Sequence, residues 1–537
     1  MIFFKRRVSY HFMKKIAFFL LTLLIIACQN TPKESNSKDL NEFKYIETTI
    51  QDLQKGYGNG SWTIVEVVTA YSQRIATIDK SGPNLSSVIV INPDALVIAD
   101  SLDQIAPENR GSLHGVPVLL KDNIDTKDKM ATTAGSRALA GSMPLEDSFL
   151  VQQLRKSGAV ILGKANLSEW ANFRGQMSSS GWSGINGQTR NPYVLTRTPC
   201  GSSAGSGVAV SANLTVLAIG TETNGSIVCP STVNGIVGIK PTVGLISRAG
   251  IIPISYTQDT AGPMARTVAD ATLALGALTG LDPKDAKTNS SIGKALQDYT
   301  PFLKVDGLKG KRIGWFKSPF GNHATTDSLT VKAIATLKVQ GAIIIEIDQI
   351  NERATGGHSF QVMLHEYKAG LNDYFASLGP DAKIKNLEEL IAFNKKDSIE
   401  LKYYNQAYLE MALEKEDLKS KAYLDHLKDL KKMSQEEGIN RVMAEHKLDG
   451  FVAATGSPAW SIDWLNGDNY HTSSSSPAAW AGYPNISVPM GDVHGLPVGL
   501  SFFGTAWSEP TLIEMAYSFE QATMARIIPT FKAWDSE

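Results

Sequence analysis

Short apolar runs alternate with amphipathic stretches along most of the chain, and this rhythm constrains the fold more than any other feature. Val88 to Ile91 (VIVI) and Val116 to Leu120 (VPVLL, interrupted by Pro117) read as buried strands. Thr63 to Ile78 has the apolar spacing of a helix, with Thr63 as its cap. Phe149 to Ser157 reads as a helix, Gly158 punctuates it, and Ala159 to Leu162 (AVIL) follows as a strand. Leu214 to Ile219 continues the pattern, which predicts an α/β architecture. From about His358 to His446 the character changes to Glu, Lys, Leu, Tyr and Met, with almost no Gly or Pro between Tyr403 and Glu437. That stretch predicts a helical insert over the core. Phe451 to Ala453 and Ile486 to Val488 return to strands, and Leu512 to Thr523 closes with a helix.

The first residues read as an address. Ile16 to Ala27 is apolar and preceded by Lys14 and Lys15, yet too short to cross about 30 Å of hydrocarbon as a helix. A basic start, a short apolar stretch and a small residue describe a secretory signal over 1–27. Ile25-Ile26-Ala27-Cys28 resembles the bacterial lipoprotein box, which implies lipid on Cys28; an ordinary signal peptide is the alternative. Met13 offers a second start of more typical form (MKKIAFF). Residues 28–40 are polar and read as a flexible tether, leaving 41–535 as a single domain. The expected localisation is the bacterial cell envelope, anchored by lipid alone. Among 537 residues, 52 basic and 53 acidic side chains cancel, which gives no support to a nucleic-acid partner. Hydrophobic residues at 43% exclude a disordered chain. Three cysteines exclude a disulfide scaffold and a four-cysteine zinc site.

The densest cluster of unusual residues runs from Pro199 to Ser231, with two Gly/Ser-rich turns around an apolar strand. Small residues let a backbone approach a ligand, and successive N–H groups in such turns form an anion-binding nest. That is what an oxyanion hole needs, although tight turns packed for their own sake would look the same. Gly201-Ser202-Ser203-Ala204-Gly205 also matches the G-x-S-x-G nucleophile elbow, for which His471 and His494 are the late histidines on offer. No HGGG-type motif accompanies it. No P-loop string and no H-E-x-x-H occurs, so no metal and no cofactor is expected.

Gly115-Val116-Pro117-Val118-Leu119-Leu120-Lys121-Asp122, then CGSSAGSG from Cys200, then GTETNGSIVCPS from Gly220, resemble the amidase-signature family. The likeness covers about Leu40 to Pro529 and is strongest for bacterial peptide amidases, through SEWANFRG from Ser168, GQTRNPY from Gly187, GIKPTVGLISRAGIIPIS from Gly238, QDTAGPMARTVADA from Gln258 and GTAWSEP from Gly504. It implies a large twisted mixed sheet covered by helices on both faces. It implies a Ser–cisSer–Lys triad, with Ser226 as nucleophile, Ser202 as bridging serine after a cis peptide, and Lys121 as base. It also implies an oxyanion hole from the backbone N–H groups of Thr223, Asn224, Gly225 and Ser226, and a substrate-contacting loop at Met177, Ser178 and Ser179. Ser203, Thr221 and Glu222 would support the site. Val228 stands where many members, the tRNA-dependent amidotransferases among them, carry arginine. Recognition of an acidic group there is not expected.

The chemistry is coherent. An amide is a poor electrophile and serine a weak nucleophile, so the nucleophile needs a base. A lysine serves only when neutral, which requires desolvation. Lys121 follows VPVLL and is expected at the end of a buried strand, where pairing with Asp122 in solvent is the blander alternative. The expected reaction is hydrolysis of carboxamides, foremost the C-terminal amide of peptides, with other small, aryl or fatty amides open. A catalytically silent envelope binding protein on the same scaffold is the reading from another class. Cys200 and Cys229 flank the cluster and are expected as small buried hydrophobes, pairing left open. The tryptophans between Trp460 and Trp480, with Tyr470 and the serine run Ser473 to Ser476, fit either a substrate pocket or core.

Overall fold

The computed structural model describes residues 43–352 and 354–534. The signal segment, the tether and Cys28 lie outside the described residues. The unit from Tyr45 to Glu537 is built on an 11-stranded sheet.

The strands are β1 (Val88–Ile91), β2 (Pro117–Lys121), β3 (Val160–Ala165), β4 (Trp182–Ser183), β5 (Gly187–Gln188), β6 (Leu217–Glu222), β7 (Val237–Lys240), β8 (Thr260–Ala265), β9 (Arg312–Phe316), β10 (Ile343–Ile347), β11 (Gly450–Ala454), β12 (Asn485–Val493) and β13 (Leu496–Phe503). β4 and β5 form a separate two-stranded ribbon, and the main order is β1-β3-β2-β6-β8-β7-β12-β13-β11-β9-β10. β3, β2 and β6 run parallel to one another, as do β11, β9 and β10, while the other pairs are antiparallel. Helices pack around this mixed sheet.

Local chemistry explains the elements that matter. Thr63 caps the helix Ile64–Arg74 by accepting from Glu66 N, and Glu66 reaches back to Thr63 N, a reciprocal cap. β2 is buried along its whole length, so it reads as a continuous apolar run, and Pro117 is tolerated as its first residue. β6 begins at Leu217, three residues later than Leu214, and runs on through Gly220, Thr221 and Glu222. Its polar end was not legible as strand because that end serves the site rather than the core. β12 and β13 form one long hairpin where the apolar pattern showed only Ile486 to Val488.

The helix Ala204–Ser211 (AGSGVAVS) is wholly buried. Its small side chains allow close approach: a Cβ on Gly205 would lie 2.2 Å from the Ser87 carbonyl oxygen. Between Ala354 and His446 lie the helices Ala354–Ser377, Leu387–Lys396, Ala407–Leu413, Lys421–Lys431 and Arg441–His446. They bury Tyr367, Leu371, Tyr374 and Leu409 against Trp170, Phe173 and Ile254, which carries the insert up to the site. Two buried polar contacts fix it there. Glu366 accepts from Thr257 N at 3.0 Å and Tyr423 Oη at 2.7 Å, and Ser255 Oγ also donates to it. Arg174 pairs with Glu169 at 2.8 Å and Glu400 at 3.2 Å, with its guanidinium 3.9 Å from the Tyr404 ring centre.

Candidate active site

The parallel pairing of β2 with β6, with Leu120 opposite Ile219, brings Lys121 and Thr221 together at the carboxyl ends of the two strands. Sites of open α/β sheets gather at such ends. Lys121 is 0% exposed. Its Nζ lies 2.8 Å from Ser202 Oγ, 2.8 Å from Thr221 Oγ1 and 3.1 Å from the Thr221 carbonyl oxygen. Burial pulls its pKa down to about 7, while Asp259 and then Glu222 oppose the shift. The solvated pairing with Asp122 does not occur. Asp122 turns away to accept from Thr133 N at 3.2 Å, and its backbone carbonyl accepts from Ala134 N at 2.8 Å.

The peptide between Gly201 and Ser202 is cis. Ser202 is fully buried, and its carbonyl accepts from Ser168 N at 3.0 Å. Ser203 N donates to the Ser226 carbonyl at 3.1 Å, so the two Gly/Ser turns are joined through their backbones. Ser203 Oγ donates to the Thr221 carbonyl at 3.1 Å and accepts from Thr221 N at 3.2 Å. The elbow reading fails on this point. Its nucleophile would be Ser203, which is sealed inside the fold, while His471 and His494 line a different cavity with His323.

Ser226 faces a cleft of about 300 Å³. Among the described residues, the backbone N–H groups of Asn224, Gly225 and Ser226 have no protein acceptor. Gly225 has φ +83°, which a side chain would strain. Glu222 fixes this turn from behind, its Oε2 accepting from Ile227 N at 2.8 Å and Val228 N at 3.1 Å. Thr223 Oγ1 donates to Asp259 Oδ1 at 2.6 Å. The other Asp259 oxygen accepts from Ile254 N and Ser255 N, and burial pushes this carboxyl up to about 6. The Asn224 side chain accepts from Ser475 Oγ at 2.7 Å and donates to Ser476 Oγ at 3.2 Å, which gives the serine run a place in the site wall. The hydrogen bond from Lys121 ends at Ser202; a bond from Ser202 to Ser226 is not among those formed.

Cys200 and Cys229 are bridged, with Cα atoms 6.0 Å apart, which decides the pairing left open by the sequence and replaces the simple role of small buried hydrophobes. The turn before Ser202 and the start of the helix Val228–Val233 converge on Ser226, so residues 29 apart in sequence meet. Of the loop expected to touch substrate, Met177 is 59% exposed, Ser178 donates to Asn172 and Ser179 is buried. The cleft is lined by the next residue, Ser180. Trp460 and Tyr470 line the cleft, whereas Trp480 packs among Val362, Tyr423 and Leu430 of the insert.

Residue-type reasoning missed Asn123, whose Nδ2 donates to Thr221 Oγ1 at 3.1 Å, and Asp259 and Asp468. Asn123 stands two places after Lys121 and was within reach of the motif; Asp259 and Asp468 carried no local signal. Among the described residues, no group of three or more His, Cys, Asp or Glu is placed to hold a metal ion. No described helix is long and apolar enough to cross a membrane.

A family model described as Amidase matches residues 66–513. The chain is 48% identical to the crystal structure of native peptide amidase from Stenotrophomonas maltophilia, with a TM-score of 0.88, covering 92% of this chain and all of that one. It is 36% identical to the crystal structure of an amidase family protein from Bacillus anthracis, with a TM-score of 0.83, covering 92% of this chain and 93% of that one. A protein named a probable amidase of Arabidopsis thaliana is 41% identical over 91% of this chain and 93% of its own length.

Proposed function

The chain belongs to the amidase family, and on that premise we propose that it hydrolyses the C-terminal amide of peptides through Ser226, Ser202 and Lys121. The observation that carries the mechanism is a lysine removed from water, its pKa near 7, within hydrogen-bond reach of a serine hydroxyl. Neutral Lys121 takes the proton of Ser202, and Ser202 takes that of Ser226. In this reading the Ser202–Ser226 hydrogen bond forms when substrate fills the cleft, as catalytic hydrogen bonds often tighten only in the complex. The Ser226 oxygen then attacks the carbonyl carbon. The N–H groups of the Thr223 to Ser226 turn receive the charge that develops on oxygen. The proton returns through Ser202 to the leaving amine, ammonia departs, and water cleaves the acyl-enzyme by the same route.

Thr221 orients the base. A neutral amine has two N–H groups and one lone pair; both acceptors of Thr221 take the N–H groups, which leaves the lone pair for Ser202. The peptide substrate is supported by the likeness to peptide amidase and by an aromatic cleft mouth. Purified protein should release ammonia from an amidated dipeptide, and Ser226→Ala should lower kcat/KM by about 10⁴-fold or more. Activity that survives in that variant removes Ser226 from the mechanism. Failure of a fluorophosphonate to label Ser226 in the native protein favours the silent binding reading. Hydrolysis of fatty or aryl amides in preference to peptide amides moves the substrate class.

We propose further that residues 1–27 export the chain and that Cys28 carries its lipid anchor. The support is the basic and apolar pattern before Cys28, together with a disulfide of the kind that persists in oxidising compartments. Cys28→Ser should move the protein out of the membrane fraction; a cytosolic wild-type protein overturns the assignment.

A further inference from the structure

The cleft opens between two loops, 172–180 and 455–476, whose outer edges carry large apolar side chains in water. Tyr470, 61% exposed, lines the cleft, and Met177 (59%), Trp464 (42%) and Leu465 (79%) stand on the same two loops outside its lining. Apolar groups gathered at the edge of a concave site mark a binding surface more often than apolar groups scattered singly do.

The two loops are held together by Asp468. Its Oδ1 accepts from Ser180 N at 3.0 Å and from Trp460 Nε1 at 3.1 Å, and Ser180 Oγ donates to Oδ2. Gly467 sits so close to the other loop that a Cβ there would lie 2.9 Å from the Met177 carbonyl carbon. The turn bearing Trp464 and Leu465 is fixed as well. Asp463 Oδ1 accepts from Leu465 N and Asn466 N, each at 2.9 Å. The Trp464 ring stacks on Tyr403 at 5.2 Å between centres, and its Nε1 donates to Gln188 at 2.9 Å. The rim is therefore pre-organised. Its inner edge is the cleft wall itself, where the Tyr470 ring lies 5.9 Å from that of Trp460.

We propose that this rim is a subsite for the part of a peptide upstream of the amide, receiving bulky apolar side chains N-terminal to the amidated residue. The proposal rests on the peptide-amide reading above. A cleft of about 300 Å³ is small for a ligand site, so a longer peptide leaves it across the rim. An amino-acid amide ends before reaching it. The rim thus makes the enzyme selective by sequence upstream of the bond it cleaves, without touching the reacting atoms.

The test uses the full chain and amidated tetrapeptides that differ only upstream, carrying Phe, Leu, Gly or Asp there, beside a free amino-acid amide. Wild type should favour the Phe and Leu peptides over the Gly peptide by about tenfold in kcat/KM, the worth of one well-covered apolar side chain. Most of that gap should lie in KM. In Trp464→Ala, and separately in Leu465→Ser, the gap should shrink to about twofold. The Leu465 side chain stands mostly in water and the substitution keeps its backbone N–H, so the second variant guards against misfolding of the first. A wild type indifferent to the upstream residue overturns the proposal, as does a preference that survives in both variants. Hydrolysis of the amino-acid amide with none of any tetrapeptide amide overturns instead the peptide reading on which it stands.

Discussion

Two lysines end neighbouring regions of one sheet, Lys121 on β2 and Lys240 on β7, and both are fully buried. Burial is the main cause in each case, pulling Lys121 to about 7 and Lys240 to about 8. The difference lies in what surrounds the amine. Lys121 meets two hydroxyls, on Ser202 and Thr221. Among the described residues, the hydrogen-bond partners of Lys240 are carbonyl oxygens, of Tyr483 and Pro241. A carbonyl accepts a hydrogen bond and has no proton to surrender; a hydroxyl does both. Desolvation lowers the pKa of both amines, and in the proposed mechanism it is the hydroxyl partner that lets Lys121 act as a base.

Exchanging each lysine for an apolar residue tests that contrast most severely. Lys121→Met should cost about 10³-fold or more in kcat. Lys240→Met should keep kcat within about threefold, while the Tyr483 carbonyl left without its donor costs about 1–3 kcal/mol, read as a lower melting temperature. Equal losses of activity would erase the distinction. The pH profile sharpens it. In the proposed mechanism the neutral form of Lys121 is the active one, so kcat/KM should fall as pH drops through about 7 and level off above. Asp259 is the leading neighbour that favours the charged amine, so Asp259→Asn should move this limb to lower pH. A limb that stays in place would detach Asp259 from the base.

The bridge from Cys200 to Cys229 encloses a loop of separation 29, and replacing both cysteines by serine should lower unfolding stability by about 3 kcal/mol in a denaturant titration. The smallest effect is expected at Asn224. Its side chain binds Ser475 and Ser476, while its proposed contribution to the reaction is a backbone donor, so Asn224→Ala should change kcat by about threefold or less. A loss of a hundredfold would give the side chain itself a part in the chemistry.

Much of this was legible from the sequence for a physical reason. Lys121, Ser202 and Ser226 sit in strings of small and apolar residues whose local conformation nearly fixes their surroundings. Buried strands such as β2 announce themselves by unbroken apolar runs. What escaped was set by distant pairing. Asp259 matters because a loop returns beneath Thr223, and Asp468 because a late loop folds onto Ser180. The Cys200–Cys229 bond could not be read from spacing, since it depends on a turn meeting the first turn of a later helix. The tryptophans between Trp460 and Trp480 divided in the same way: identical residue types became cleft wall, rim and insert core according to which loop they faced.

That sulfur bridge couples competence to history. The hinge carrying Ser202 and the helix start beside Ser226 share a covalent frame only when the polypeptide matures among oxidants. A copy finished among reducing thiols would carry the same reactive groups on an unfastened joint. Where the molecule is made thus becomes part of how well it works.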